Sequence, residues 1–209
     1  MITPIIVKNV YAVYPRCNRT WRFDNAENRS VPCGPLEDGA AYEMSFRIKK
    51  DDAKELWNYV SSAWKEFCKE TGKKGEMVNK PFKEDETDPS YLIWKCKLKG
   101  AYSGQATKPP AAFNAANQPI TDPDFELTTG SIINISLKAV PYATGMAQGV
   151  SLRLLAYQVI EMSTVAGGAS PFEADPAAME QMGELYKDTT PEVEKAAAPA
   201  EEFNDDIPF

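Results

Sequence analysis

Residues Tyr91–Gly100 run YLIWKCKLKG. Leu92, Trp94, Cys96 and Leu98 alternate with Tyr91, Ile93, Lys95, Lys97 and Lys99, the signature of a strand with one buried face. The other face then carries three lysines in line. Their mutual repulsion is relieved by an opposing anion, or more weakly by solvent on an open face. Upstream, Tyr42–Lys50 (YEMSFRIKK) repeats the pattern, with Tyr42, Met44, Phe46 and Ile48 against Glu43, Ser45, Arg47 and Lys49. Between these two strands lies Asp51–Lys73, DDAKELWNYVSSAWKEFCKETGK. Its apolar residues Ala53, Leu56, Val60, Ala63 and Phe67 recur at helical spacing, and Trp57 and Trp64 widen the stripe into a core-facing surface. Asp52 and Glu55 have the spacing of a capping box, and Gly72 marks the helix end.

Three more strands follow from the same periodicity. Val7–Pro15 (VKNVYAVYP) is one. Ser131–Tyr142 (SIINISLKAVPY) turns Ile133, Ile135 and Leu137 inward and Lys138 outward. Gly149–Met162 (GVSLRLLAYQVIEM) places Leu152, Leu154 and Ala156 inward, with Arg153 and Tyr157 opposite. Tyr142–Gly149 reads as the hairpin loop joining the last two. Arg16–Pro35 reads as a loop in which Arg16, Arg19, Arg22 and Arg29 are interleaved with Trp21 and Phe23. A second long loop, Lys97–Asp124, carries Tyr102, Lys108 and Phe113, and loops of that length are usually functional or disordered. Five strands, one helix inserted between strands and long loops predict a mainly β fold, an OB-fold-like five-stranded barrel. Binders of single strands on this architecture combine a basic groove for phosphates with rings on which bases stack. Lys95, Lys97, Lys99, Arg47, Lys138 and Arg153, with Arg22 and Lys108, are candidates for the groove; Tyr91, Trp21, Phe23, Tyr102 and Phe113 are candidates for the platforms.

Composition narrows the chemistry. The 209 residues are 43% hydrophobic and 11% aromatic, enough for a packed core. Cys17, Cys33, Cys68 and Cys96 form no CxxC pair, and the chain has no histidine, which removes the commonest general base and the His-containing zinc sets. Reduced structural thiols, no cofactor and no metal are expected. The opening MITPIIVKNVYAVYP lacks the basic start and cleavage site of a signal peptide, and no apolar run approaches a membrane span, so a cytoplasmic protein is expected.

Charge is uneven. The net charge is −7, but Pro171–Phe209 holds 11 acidic and 2 basic residues, a charge of −9, leaving residues 1–170 with 21 basic against 19 acidic, or +2. This C-terminal stretch mixes Gly, Ala, Pro and acids with few large apolar groups, so disorder is expected, with one short helix at 176–187 after Asp175-Pro176. The expected organisation is a single-strand-binding barrel over 1–166, a flexible acidic linker over 167–200, and a motif over 201–209. That motif, EEFNDDIPF, joins a run of carboxylates to an apolar tip.

The ending DDIPF resembles the terminal motif of bacterial single-stranded DNA-binding proteins. The body is similar to a family of bacteriophage single-stranded DNA-binding proteins with an OB-fold. The similarity is carried by VKNVYAVYP, by YEMSFRIKKDD with its helix, by Lys80-Pro81 and the loop after it, and by Thr128–Met162. The resemblance implies sequence-independent binding of single strands, a role in phage replication and recombination, and no catalysis. It also implies recruitment of a polymerase, primase, helicase or nuclease through Asp205, Asp206, Ile207, Pro208 and Phe209. An oligomer is possible. Alternatives are a strand-annealing recombination protein, a metal-dependent nuclease using Glu84-Asp85-Glu86-Thr87-Asp88, and a virion or scaffolding protein.

Overall fold

A computed structural model describes residues 2–144 and 147–164. The acidic segment with its expected disorder, the helix at 176–187, the boundary near Gly167-Gly168 and the motif Asp205–Phe209 lie outside the described residues. The elements run β1 (Ile5–Asp24), β2 (Arg29–Pro32), β3 (Ala41–Lys49), α1 (Lys54–Thr71), β4 (Phe82–Glu84), β5 (Tyr91–Lys99), β6 (Ala101–Tyr102), β7 (Gln105–Ala106), β8 (Ala111–Phe113), β9 (Ile132–Thr144) and β10 (Ala147–Glu161).

The barrel closes through five strands. β3 lies between β1 and β5, and β9 lies between β1 and β10, all antiparallel. A parallel pairing of β10 with β5, Leu152 opposite Cys96 and Arg153 opposite Lys97, joins the two ends. This is the expected OB-like barrel, with β2, β4 and β8 added at its margins. Closure removes the long open edges that a sheet of this size would otherwise expose.

Alternation built the core as expected on most strands. Met44, Phe46 and Trp94 fill it with Cys96, Ile133, Ile135, Leu137, Leu152 and Leu154, each no more than 1% exposed. One strand departs from simple alternation. The register of β10 against β9 shifts between Leu154 and Ala156. Beyond that bulge Tyr157 and Val159 are buried and Ala156 is only half-buried, because one extra residue reverses which side chains face inward. The expected outward Tyr157 is therefore a core residue.

Helix α1 packs its Leu56, Val60, Ala63 and Trp64 onto β9, β10 and β1. Its C-terminus follows the sequence, with Gly72 left-handed at φ 68°. Its N-terminus does not: Ala53 is the cap residue and no side chain caps the helix, so the Asp52–Glu55 box does not form. Trp57 is half-buried rather than in the core, edge-on to Phe82 at 5.4 Å. Both expected loops contain strand. Arg16–Asp24 continues β1, which folds back on β2 through a turn where the Asp24 carboxylate accepts from the Ala26 and Glu27 amides. The Lys97–Asp124 stretch supplies the small β6–β7 hairpin and β8, which lies parallel to β10. Likewise β9 and β10 run to Thr144 and from Ala147, shortening the expected hairpin loop.

Candidate nucleic-acid interface

The outer face of the barrel is ordered by strand register. On β5 the outward residues Lys95, Lys97 and Lys99 are exposed while Trp94, Cys96 and Leu98 point into the core. Side chains two apart on a strand are separated by roughly 6.7 Å, so the three ammonium groups form a line about 13 Å long. Lys97 lies opposite Glu43 on β3 and Arg153 on β10, and Arg153 lies opposite Lys138 on β9. Lys138, Arg153 and Lys97 thus form a row across three strands. Like charges set opposite one another destabilise a sheet. None of Lys95, Lys97, Lys99, Lys138 or Arg153 makes an ion pair among the described residues. Such a row presents positive charge that no ion pair offsets among the described residues.

A cleft of about 450 Å³ opens beside it. Lys95, Lys97, Lys80 and Lys83 line it together with Phe82 and Tyr142. One wall forms because residues 76–81 lie against the β9–β10 hairpin. The Asn79 amide donates to the Gln148 carbonyl at 2.9 Å, and Gln148 Nε2 donates to the Glu76 carbonyl at 3.1 Å. Gly149 makes this approach possible: a Cβ there would stand 2.2 Å from the Asn79 carbonyl oxygen. Tyr142 pairs with Gly149 across the hairpin. Tyr142 is not among the platforms expected from sequence, although continuing the alternation from Lys138 through Val140 leads to it. Tyr14, also outside that set, is 74% exposed at a positive φ of 46°, where β1 breaks its regular pairing.

The other candidates divide. Tyr102, 40% exposed on the β6–β7 hairpin, lies under the Arg153 guanidinium at 5.0 Å and so belongs to the basic row. Phe23 is 57% exposed near the tip of the β1–β2 hairpin. Arg22 nearby stands 3.4 Å from Glu37. Trp21 is half-buried beneath Arg16, 5.0 Å from its ring. Phe113 and Lys108 sit apart, Phe113 lining a hollow with Ile6 and Lys8, and Lys108 another with Asn18 and Asp122.

Arg47 is committed elsewhere. Its Nε donates to Asp85 Oδ2 at 2.5 Å and its Nη2 to Asp88 Oδ2 at 3.3 Å, while its guanidinium lies 3.7 Å over the Tyr91 ring. Hydrogen bonds from the Thr87 hydroxyl and amide, then from Arg47, hold the Asp85 carboxyl down at about 2. Glu84 and Glu86 accept from Lys50 and Lys83. The acidic run 84–88 is therefore spent on cations and turns. No group of three His, Cys, Asp or Glu side chains capable of holding a metal occurs among the described residues. The thiols are free. Burial pushes Cys17 up to about 12 and Cys96 upward as well, so neither is a ready nucleophile.

No family model and no curated protein matches the chain. Solved structures do. Gp2.5, a single-stranded DNA-binding protein encoded by bacteriophage T7, aligns with 84% of this chain and 100% of its own at TM-score 0.58 and 14% identity. The single-stranded DNA-binding protein of bacteriophage Enc34, truncated at its C-terminus, aligns with 77% of this chain and 86% of its own at TM-score 0.57 and 12% identity. The same Enc34 protein in complex with single-stranded DNA aligns over 78% and 89% at TM-score 0.54 and 14% identity. Its structural neighbours are thus bacteriophage single-stranded DNA-binding proteins, and this chain shares their fold.

Proposed function

We propose that the chain binds single-stranded DNA without reading its sequence, along the outer face of β3, β5, β10 and β9. The observation that carries this is the set of five cations that make no ion pair among the described residues, Lys95, Lys97, Lys99, Arg153 and Lys138, beside a cleft that also holds Tyr142. The strands and hairpin that build this face are those by which OB-folds bind oligonucleotides. The fold is shared with phage proteins of that function, one of them solved with single-stranded DNA. Phosphates would meet the cations, and bases would stack on Tyr102, Tyr142 and Phe23, each stack contributing ~1–3 kcal/mol. In this reading the protein is not an enzyme and works in the cytoplasm of a host cell, protecting single strands during replication and recombination. The motif Asp205–Phe209 recruits a replication or repair enzyme by offering carboxylates and an apolar ring to a basic pocket.

The test is titration of labelled single-stranded and duplex oligonucleotides over a range of salt, with the full chain and with Glu201–Phe209 deleted. Single strands are expected to bind more tightly than duplex, with affinity falling by ~0.7 in log K per log salt for each phosphate neutralised. The deletion is expected to keep or raise single-strand affinity, because it removes charge of the same sign as DNA, while losing capture of the partner enzyme. Equal affinity for duplex, or none for either, refutes the binding; lost affinity in the deletion refutes the role given to the tail.

A further inference from the structure

Glu43 sits where a phosphate-binding surface should not hold an acid. It lies outward on β3, between Arg16 on β1 and Lys97 on β5 in register. Among the described residues lining the cleft, which include Lys80, Lys83, Lys95 and Lys97, Glu43 is the one carboxylate. Its Oε1 accepts from Arg16 Nη1 at 2.8 Å, and both side chains remain partly open, 27% and 29% exposed. The same guanidinium lies 5.0 Å over the Trp21 ring. Glu43 thus cancels the charge of Arg16, beside the row, and fixes that guanidinium against an aromatic face.

An acid between Arg16 and Lys97 pairs opposite charges across the sheet, but the stability this supplies is modest, because partly open ion pairs contribute little to folding. Ser45, two residues on, shows that a neutral side chain is accepted at the next outward position of the strand. What the carboxylate does change is the number of positive charges a strand of phosphates meets. Resting on the binding reading above, we propose that Glu43 is an affinity-limiting residue, holding Arg16 out of the phosphate track so that bound single strands dissociate readily. Glu43→Gln keeps the shape and an acceptor for Arg16 but releases one net positive charge into the row.

The experiment compares wild type, Glu43→Gln, Arg16→Gln and the double variant in single-strand affinity and dissociation rate across salt, with thermal melting of each. One extra neutralised phosphate makes the slope more negative by ~0.7, which is roughly eightfold tighter binding at 50 mM salt and threefold at 200 mM if the affinity extrapolated to 1 M is unchanged. Most of that gain is expected as slower dissociation. Arg16→Gln leaves Glu43 uncompensated, so affinity falls and the slope flattens. The double variant restores the wild-type net charge and is expected to restore its slope; this separates charge count from general disturbance of the site. Wild-type or weaker affinity in Glu43→Gln, with melting unchanged, overturns the proposal while leaving the binding reading intact. Absence of binding by wild type and all variants overturns both.

Discussion

Changing Lys95, Lys97 and Lys99 together to Ala is expected to weaken single-strand binding about 100-fold at 0.1 M salt, since three lost phosphate contacts remove ~2.1 from the log–log salt slope. The near-convergence of wild type and variant toward 1 M salt is part of the same expectation. The fold survives because all three side chains are exposed and make no ion pair among the described residues, while the opposite face of β5 is the core. Surface changes of this kind usually move stability by no more than ~0.5 kcal/mol. Here relief of repulsion along the line offsets part of any loss. Fluorescence anisotropy over salt, beside thermal melting, checks both halves. An unchanged slope would move the phosphate track away from β5, with the Arg16–Arg29 hairpin the next candidate.

Trp94→Ala is expected to give the opposite result, a damaged fold. Trp94 is 0% exposed and lies between Phe82, 4.7 Å away, and Phe46, stacked at 6.5 Å with rings 12° apart. Truncating such a ring removes its burial and leaves a cavity, costing ~3–5 kcal/mol. In a domain of this size each kcal/mol lowers Tm by ~2–4 °C, so a fall of roughly 6–20 °C is expected. Trp94→Phe should be milder, because the indole Nε1 is buried without a hydrogen-bond partner among the described residues, and replacing it removes that unpaired donor. Calorimetry or urea denaturation distinguishes the two. A Trp94→Ala protein as stable as wild type would contradict the placement of this ring at the barrel's centre.

The barrel was legible where a strand keeps strict alternation. On β3 and β5 the period of two names both the core and the lysine line, so one pattern gave fold and candidate surface together. It failed where the backbone breaks phase. Asn9 and Tyr14 adopt positive φ of 53° and 46° within β1, and its pairing with β3 slips between Val13 and Arg16 and again before Trp21. The continuation of β1 past Pro15 therefore looked like loop. The bulge after Leu154 reversed Tyr157 in the same way. β8 was illegible for another reason: its parallel partner on β10 is distant in sequence, and three residues carry little periodicity.

Side-chain commitments were the least legible part of the site. Arg47 shares β3's outward face with Ser45 and Lys49, which made it a reasonable phosphate ligand. Only the folded chain brings Asp85 and Asp88 to it, across 38 and 41 residues. The same holds for Trp21, whose face is covered by Arg16. The three lysines of β5 stood out because charge, spacing and strand face coincide at alternate positions of one short stretch.

The measurement that bears most directly on where the strand lies is lysine acetylation footprinting, comparing modification rates with and without saturating single-stranded oligonucleotide. Lys95, Lys97, Lys99 and Lys138 should be strongly protected, and Lys80 on the cleft wall partly so. Lys8, outside that face, and the exposed Lys65 and Lys69 of α1 should react unchanged. Protection of Lys8 and Lys49 with Lys95–Lys99 left open, or uniform slowing over the whole surface, would contradict the assignment of the β3–β5–β10–β9 face as the single-strand interface.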